Sequence, residues 1–341
     1  MPFPVNEITI SIIKQVIKDN EEELDLIYAF HDKPSQTMEE LKASSGLSEQ
    51  DLERITSSLA KKGLLFNQPS SAGIMVYRLL PLMTVGLMEY KFMGELKGNE
   101  EERTLAELFQ RLIYEMRDQV QQNPIRIIPV DRSLQPPAES VLPSQSVEEI
   151  IEKFDDIAVG HCFCRQRKMA LGGSCSLNAP LENCFTFGKS ARHTTAQGFA
   201  RMVTKEEALK IMREAEEAGL VHKAFHPNSK VSRPETSICN CCKDCCDTLR
   251  LWREGAFPLV NSTYYLSVID EEVCTGCGIC AERCPTDAIR LNDEGKAERD
   301  EASCFGCGIC ARFCPEEAIS LKEGWRKVMV LPPRLRTSSS E

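Results

Sequence analysis

Two runs near the C-terminus, CTGCGICAERCP at 274–285 and CFGCGICARFCP at 304–315, place cysteines at the spacing C-x-x-C-x-x-C-x-x-x-C-P. Cubane iron-sulfur chemistry needs four thiolates converging on one core. Three cysteines at i, i+3 and i+6 on a tight loop supply three of them, and the fourth has to come from elsewhere. Zinc sites usually pair two C-x-x-C knuckles and have no use for a triple run with a proline-backed fourth cysteine. The pattern therefore points to iron-sulfur clusters.

The similarity extends beyond the cysteines. The repeat CxGCGICAxxCPxxAIxL recurs at a 30-residue offset, with Pro285 and Pro315 after the fourth cysteines and Ala288, Ile289, Ala318 and Ile319 on short amphipathic turns. Residues 268–322 thereby resemble the bacterial two-cluster ferredoxin family. The resemblance implies that each run lends its last cysteine to the other cluster. Cys274, Cys277, Cys280 and Cys314 would then hold one 4Fe-4S cluster, and Cys304, Cys307, Cys310 and Cys284 the second. It also implies a pseudo-twofold pair of hairpin and helix units with the clusters buried between them. Gly276, Gly278, Gly306 and Gly308 suit amides that must approach inorganic sulfide closely in positive-φ conformations.

Of the 17 cysteines, nine lie outside these runs, between positions 162 and 246. One group is HCFCRQRK, with Cys162 and Cys164, followed by Cys175 and Cys184. The other is CNCCKDCC, with Cys239, Cys241, Cys242, Cys245 and Cys246. A helix over 205–218, capped by Thr204 with Glu207 and stopped by Gly219, joins the two groups and runs into GLVHKAFH. This combination resembles a region found beside ferredoxin modules in uncharacterised iron-sulfur proteins of anaerobes. The resemblance covers nearly the whole chain and brings no assigned mechanism.

Nine thiols in a reducing compartment are best explained by metal coordination. Eight would suffice for two more cubanes and four for one. Zinc is the competing occupant, with Cys242 and Cys245 as a C-x-x-C knuckle completed by Cys162 and Cys164. Neighbours such as Cys241 and Cys242 point to opposite sides of extended backbone, which favours two sites or unused thiols. His161, His193, His222 and His226 are possible ligands or proton carriers, or structural residues. Arg165, Arg167, Lys168, Arg192 and Arg201 would hold an anion or a partner carboxylate, or be solvated.

These ligands require several elements to position them, and 341 residues allow two or three domains. The expected class is a multidomain α+β protein. Residues 1–80 read as a winged-helix-like domain, since Thr37 with Glu40 and Ser48 with Asp51 open two consecutive helices and two apolar runs form a hairpin after Gly63. Residues 81–145 read as a helical connector with Leu105, Leu108, Leu112, Ile113 and Met116 on one face, then a short strand IRIIPV and a proline-rich linker. Ser146 with Glu149 opens a cysteine-rich metal-binding domain over 146–260. The ferredoxin domain spans 265–325, and 326–341 reads as a flexible tail.

Net charge is -10, which opposes non-specific nucleic-acid binding and suits docking onto a basic redox partner. Residues 1–80 hold eight Lys and Arg against twelve Asp and Glu, so DNA binding by the winged-helix-like domain is not expected. The N-terminus MPFPVNEITI lacks a basic segment followed by an apolar stretch, and no apolar run approaches about 20 residues, so a cytoplasmic protein without membrane insertion is expected. No dinucleotide fingerprint, P-loop or radical-SAM cysteine motif is present. The expected function is electron transfer to or from a redox partner protein or oxidoreductase complex. The alternatives are a redox-sensing winged-helix transcription regulator and an enzyme with substrate at an open iron, the latter weakened by the surplus of thiols.

Overall fold

Asn6 starts the first helix: its side chain accepts the Thr9 amide at 2.8 Å, and the Thr9 hydroxyl accepts the Asn6 amide at 2.9 Å. The computed structural model describes residues 6–70, 72–83, 86–117, 123–128, 146–226, 233–256 and 259–332. They divide into two units, one within Met1–Glu115, Ala158–Gly173 and Lys189–Met202, the other within Met116–Ile157, Ser174–Gly188 and Val203–Glu341. The 146–260 region is thus shared by both units, unlike the contiguous division expected above.

The first unit opens with α1 (Glu7–Ile17), α2 (Glu21–Tyr28), β1 (Ser35–Gln36), α3 (Met38–Ser45), α4 (Glu49–Lys61), β2 (Leu65–Pro69), β3 (Met75–Leu79), α5 (Leu87–Met93) and α6 (Glu100–Arg117). Thr37 and Glu40 close the full capping box on α3. On α4 the Ser48 hydroxyl accepts the Asp51 amide at 3.2 Å, but the Asp51 carboxylate takes the Ser48 hydroxyl rather than the backbone, so only half of the expected box forms. Apolar spacing then seals the core with Ile12, Leu26, Phe30, Leu41, Leu52 and Leu59. The strands form an antiparallel sheet in the order β1-β3-β2. On α4, Arg54 pairs with Glu22 and Asp51, while Lys62 pairs with buried Glu23 at 2.6 Å.

The chain next gives β4 (Asn123–Ile128) and α7 (Val147–Glu152) to the second unit. From Ala158 it returns to the first with β5 (Ile157–His161) and α8 (Phe163–Ala170). It adds β6 (Glu182–Phe187) to the second, then α9 (Lys189–Ala196) and β7 (Arg201–Met202) to the first, where β7 pairs with β5. From α10 (Lys205–Glu217) it stays in the second unit, through β8 (Val221–Phe225), β9 (Ser237–Cys241), α11 (Asp247–Arg253) and β10 (Leu259–Ile269). The repeat region follows as α12 (Ile279–Arg283), β11 (Ile289–Leu291), β12 (Ala297–Arg299), α13 (Ile309–Arg312) and β13 (Ile319–Val330).

In the second unit the strand order is β13-β10-β4-β8-β9-β6. The β10–β13 ladder runs antiparallel from Leu259↔Val330 to Ile269↔Ile319. β4 lies parallel to β10 and antiparallel to β8. The C-terminal repeat and the middle region therefore share one sheet. The tail expected from 326 begins inside β13, whose end is pinned by the Trp252 indole N–H to the Val330 carbonyl at 3.1 Å. The proline-rich linker expected at 131–145 lies outside the described residues.

The two repeats fold alike. Asp270 donates its amide to Ala318 at 2.8 Å, and Asp300 donates the same bond to Ala288 at 2.7 Å. Among the described residues no helix is long and apolar enough to cross a membrane.

Candidate metal centres

Each C-x-x-C-x-x-C run forms a loop that turns into a short helix at a glycine. Gly278 and Gly308 both have φ of 78° and stand at the N-termini of α12 and α13. At Gly276 (φ 76°) a Cβ would lie 2.1 Å from the Gly295 carbonyl oxygen, so only glycine fits.

Cys274, Cys277, Cys280 and Cys314 line one pocket. Cys284, Cys304, Cys307 and Cys310 line a second. Each cavity thus takes three thiols from one run and the last thiol of the other. The first loop reaches the surface, where Cys277 is exposed, whereas Cys304, Cys307 and Cys310 are buried.

Main-chain and hydroxyl groups face the sulfurs. Ala297 and Ala288 donate amides to Cys274 Sγ at 3.4 Å and to Cys284 Sγ at 3.2 Å. The Ser267 and Thr286 hydroxyls lie 3.6 Å from Cys304 Sγ and 3.8 Å from Cys284 Sγ. Burial raises the thiol pKa of Cys280, Cys284, Cys307 and Cys310, and charge on neighbouring cysteines adds to it. In the second cavity the raised thiols of Cys284, Cys307 and Cys310 resist ionisation together unless a cationic core neutralises them. Converging sulfurs with amide donors suit a cubane in each cavity.

The nine middle cysteines fall into three places. Cys162 and Cys164 stand at the start of α8 in the first unit. The other seven belong to the second unit, so Cys162 and Cys164 are not brought to Cys242 and Cys245 within one unit. Cys175, Cys242 and Cys245 gather with Asp244, their ligand atoms all within 4.8 Å of one another. Burial disfavours the Asp244 carboxylate, but hydrogen bonds from Cys242 and the Ser176 amide outweigh it and hold its pKa below the usual range.

Cys184, Cys239, Cys241 and Cys246 form the other group. Cys239 interacts with Cys184 and Cys241, and Cys241 with Cys246; the Cys184 contact and burial push the Cys239 thiol up against the opposing effect of Cys241, while Cys239, Cys246 and burial all push Cys241 up. The Lys223 ammonium lies 3.8 Å from Cys246 Sγ. Cys239 and Cys241 are two apart on β9 and share a sheet face, whereas Cys242 follows the strand's end into a turn. The adjacent pairs Cys241/Cys242 and Cys245/Cys246 are both split between groups.

Sequence reasoning missed Asp244 and Lys223. Asp244 lies inside the knuckle, but one carboxylate carries no spacing signal. Lys223 reaches the thiols only through the β8–β9 register, in which it faces Cys239. His222 is a buried structural residue, with Nδ1 on Asn240 and Nε2 3.3 Å from Glu216. His193 is buried among Phe66, Tyr90 and Phe199, and burial, aided by Arg78, lowers its pKa to about 4.

Residues 267–321 match the family model of the 4Fe-4S dicluster domain, and this C-terminal region is such a domain. Over 32 residues the chain is 50% identical to a probable ferredoxin of Methanosarcina thermophila, covering 9% of this chain and 55% of that protein. Over 53 residues it is 38% identical to the pyruvate synthase subunit PorD of Methanothermobacter marburgensis, covering 16% and 58%. The chain thus spans little more than half the length of the curated relatives it matches. No solved structure matches.

Proposed function

We propose that this protein is an electron carrier with two 4Fe-4S clusters, one on Cys274, Cys277, Cys280 and Cys314 and the other on Cys304, Cys307, Cys310 and Cys284. The observation that carries the reading is the division of eight cysteines between two cavities, each completed by the other repeat. A bound cubane takes up and returns one electron. The chain's own part is to hold the thiolates, exclude water around Cys304, Cys307 and Cys310, and tune the sulfurs through Ser267, Thr286, Ala288 and Ala297. The exposed Cys277 edge is the point of exchange.

The partner is an oxidoreductase, in keeping with the pyruvate synthase subunit among the relatives. The net charge of -10 suits a partner with a basic face. A third cluster belongs on Cys184, Cys239, Cys241 and Cys246, the thiols around Lys223. Thiolate-held clusters suit the reducing cytoplasm.

The order α3, α4, β2, β3, with β1 against β3, suits a winged helix in the first unit. Its role here is protein contact. The carboxylates paired with Arg54 and Lys62 leave α4 poorly suited to phosphate, which weighs against the regulator reading.

Iron and acid-labile sulfide, measured per chain on protein purified without oxygen, test the cluster assignment. About eight of each supports the two-cluster reading, and about twelve adds the third centre. Iron well below eight with no sulfide contradicts both.

A further inference from the structure

We propose that Cys175, Cys242, Cys245 and Asp244 hold a single tetrahedral zinc ion, a structural site distinct from the iron-sulfur centres. The sulfur spacing carries the inference. In a tetrahedron with Zn–S bonds of about 2.3 Å, two ligand sulfurs stand about 3.8 Å apart. Cys175 Sγ and Cys242 Sγ are 3.8 Å apart. With a Zn–O bond of about 2.1 Å, sulfur and oxygen ligands stand about 3.6 Å apart. Asp244 Oδ1 lies 3.0 Å from Cys242 Sγ and 4.0 Å from Cys175 Sγ, on either side of that value.

A cubane does not suit this arrangement. Its four ligand sulfurs bind four different irons and stand farther apart than ligands of one ion. Among the described residues, Cys175, Cys242, Asp244 and Cys245 are the group whose ligand atoms all fall within 4.8 Å, and the eight cysteines of the repeats form none. The donor set also chooses among single ions. Copper(I) prefers sulfur alone, whereas zinc accepts thiolate and carboxylate together.

The surroundings hold the ligands in place. The Ser176 amide donates to Asp244 Oδ2 at 2.8 Å, leaving Oδ1 toward the sulfurs. The Cys245 amide donates to Cys242 Sγ at 3.3 Å, a bond that favours the thiolate. Ala179, Ala215 and Leu220 pack against Cys242 and Cys245 and keep water away. Zinc entry displaces three thiol protons and joins the Cys175–Ser176 segment to the turn before α11.

The test is zinc and iron analysis, with zinc X-ray absorption, on full-length protein purified without oxygen. The expected result is about one zinc per chain with three sulfur neighbours near 2.3 Å and one oxygen near 2.0 Å. Cys242→Ala should lose the zinc and keep iron and sulfide, and Cys184→Ala should keep the zinc. If Cys242→Ala does not fold, Asp244→Ala serves, with zinc passing to a chelator at least about 10-fold faster than from the unaltered protein. Absence of zinc, zinc indifferent to both substitutions, or iron lost in its place would overturn the site. Iron and sulfide in the repeats are read separately, so failure of this site and failure of the electron-carrier reading are distinguishable.

Discussion

Arg253 donates a hydrogen bond of 2.9 Å to the carbonyl of Pro285, the residue that follows Cys284. A second guanidinium N–H of the same side chain reaches the carbonyl of Lys243, inside the Cys242–Cys245 knuckle. Lys243 in turn reaches the Glu282 carbonyl on α12. Beside them, Arg283 stacks over Phe313 at 3.9 Å, and Gly219, at φ 75°, leaves room for both side chains. The cysteine knuckle is thereby tied to the backbone that presents Cys284.

Arg253→Ala removes both bonds and leaves two carbonyls with fewer donors. Thermal unfolding of the anaerobic protein should show a loss of about 1–3 kcal/mol. Iron content should be unchanged. An unaltered melting midpoint would show that the link contributes nothing to stability.

Exchange of the last cysteines between repeats makes a selective prediction. Cys314→Ser should weaken the centre on Cys274, Cys277 and Cys280 and spare the one on Cys304, Cys307 and Cys310. Iron should fall by about four per chain. Loss of the other centre's signal would assign Cys314 to its own neighbours in the wrong cavity.

With a cluster bound in the second cavity, the Ser267 hydroxyl beside Cys304 Sγ would favour its more negative, reduced state. Ser267→Ala should lower that centre's reduction potential, by an amount on the order of tens of millivolts, and leave the first centre unmoved. Potentiometric titration separates the two.

His193 makes the first unit sensitive to acid. Burial, then Arg78, lowers its pKa to about 4, so the unfolded chain binds the proton more readily. Stability from this group is complete above its ordinary pKa of about 6.5 and is lost as pH falls toward 4. Near pH 4 the loss should be roughly 2–3 kcal/mol. Chemical denaturation across that range should show a shallower decline for His193→Phe than for the unaltered chain.

DNA should not bind the full-length protein at physiological salt. Arg54 and Lys62 already engage carboxylates, so few counterions would be released. A salt-sensitive mobility shift with a random duplex would restore the regulator reading.

The cluster domain was legible because its ligands recur at fixed short spacing, and spacing survives without knowledge of the fold. Helix starts were legible for the same local reason, as at Thr37 and Thr204, while Asp51 took a hydroxyl that no motif excluded. The extension of β13 to Val330 was not, because its partners on β10 lie far back in the chain, Val330 pairing with Leu259, and its anchor is Trp252. The companions of Cys242 were equally hidden. Cys175 and Asp244 reach it through a loop and a turn, whereas Cys162 and Cys164, equally plausible by spacing, follow β5 into the other unit.

The central claim is best tested by reductive titration of the full-length protein under anaerobic conditions, followed by low-temperature electron paramagnetic resonance. The account predicts uptake of at least about two electrons per chain, with the paramagnetic signals of two reduced 4Fe-4S centres, one of them lost in Cys314→Ser. A protein that contains iron and sulfide yet takes up no electrons, or shows one centre that both repeats are needed to build, would contradict it.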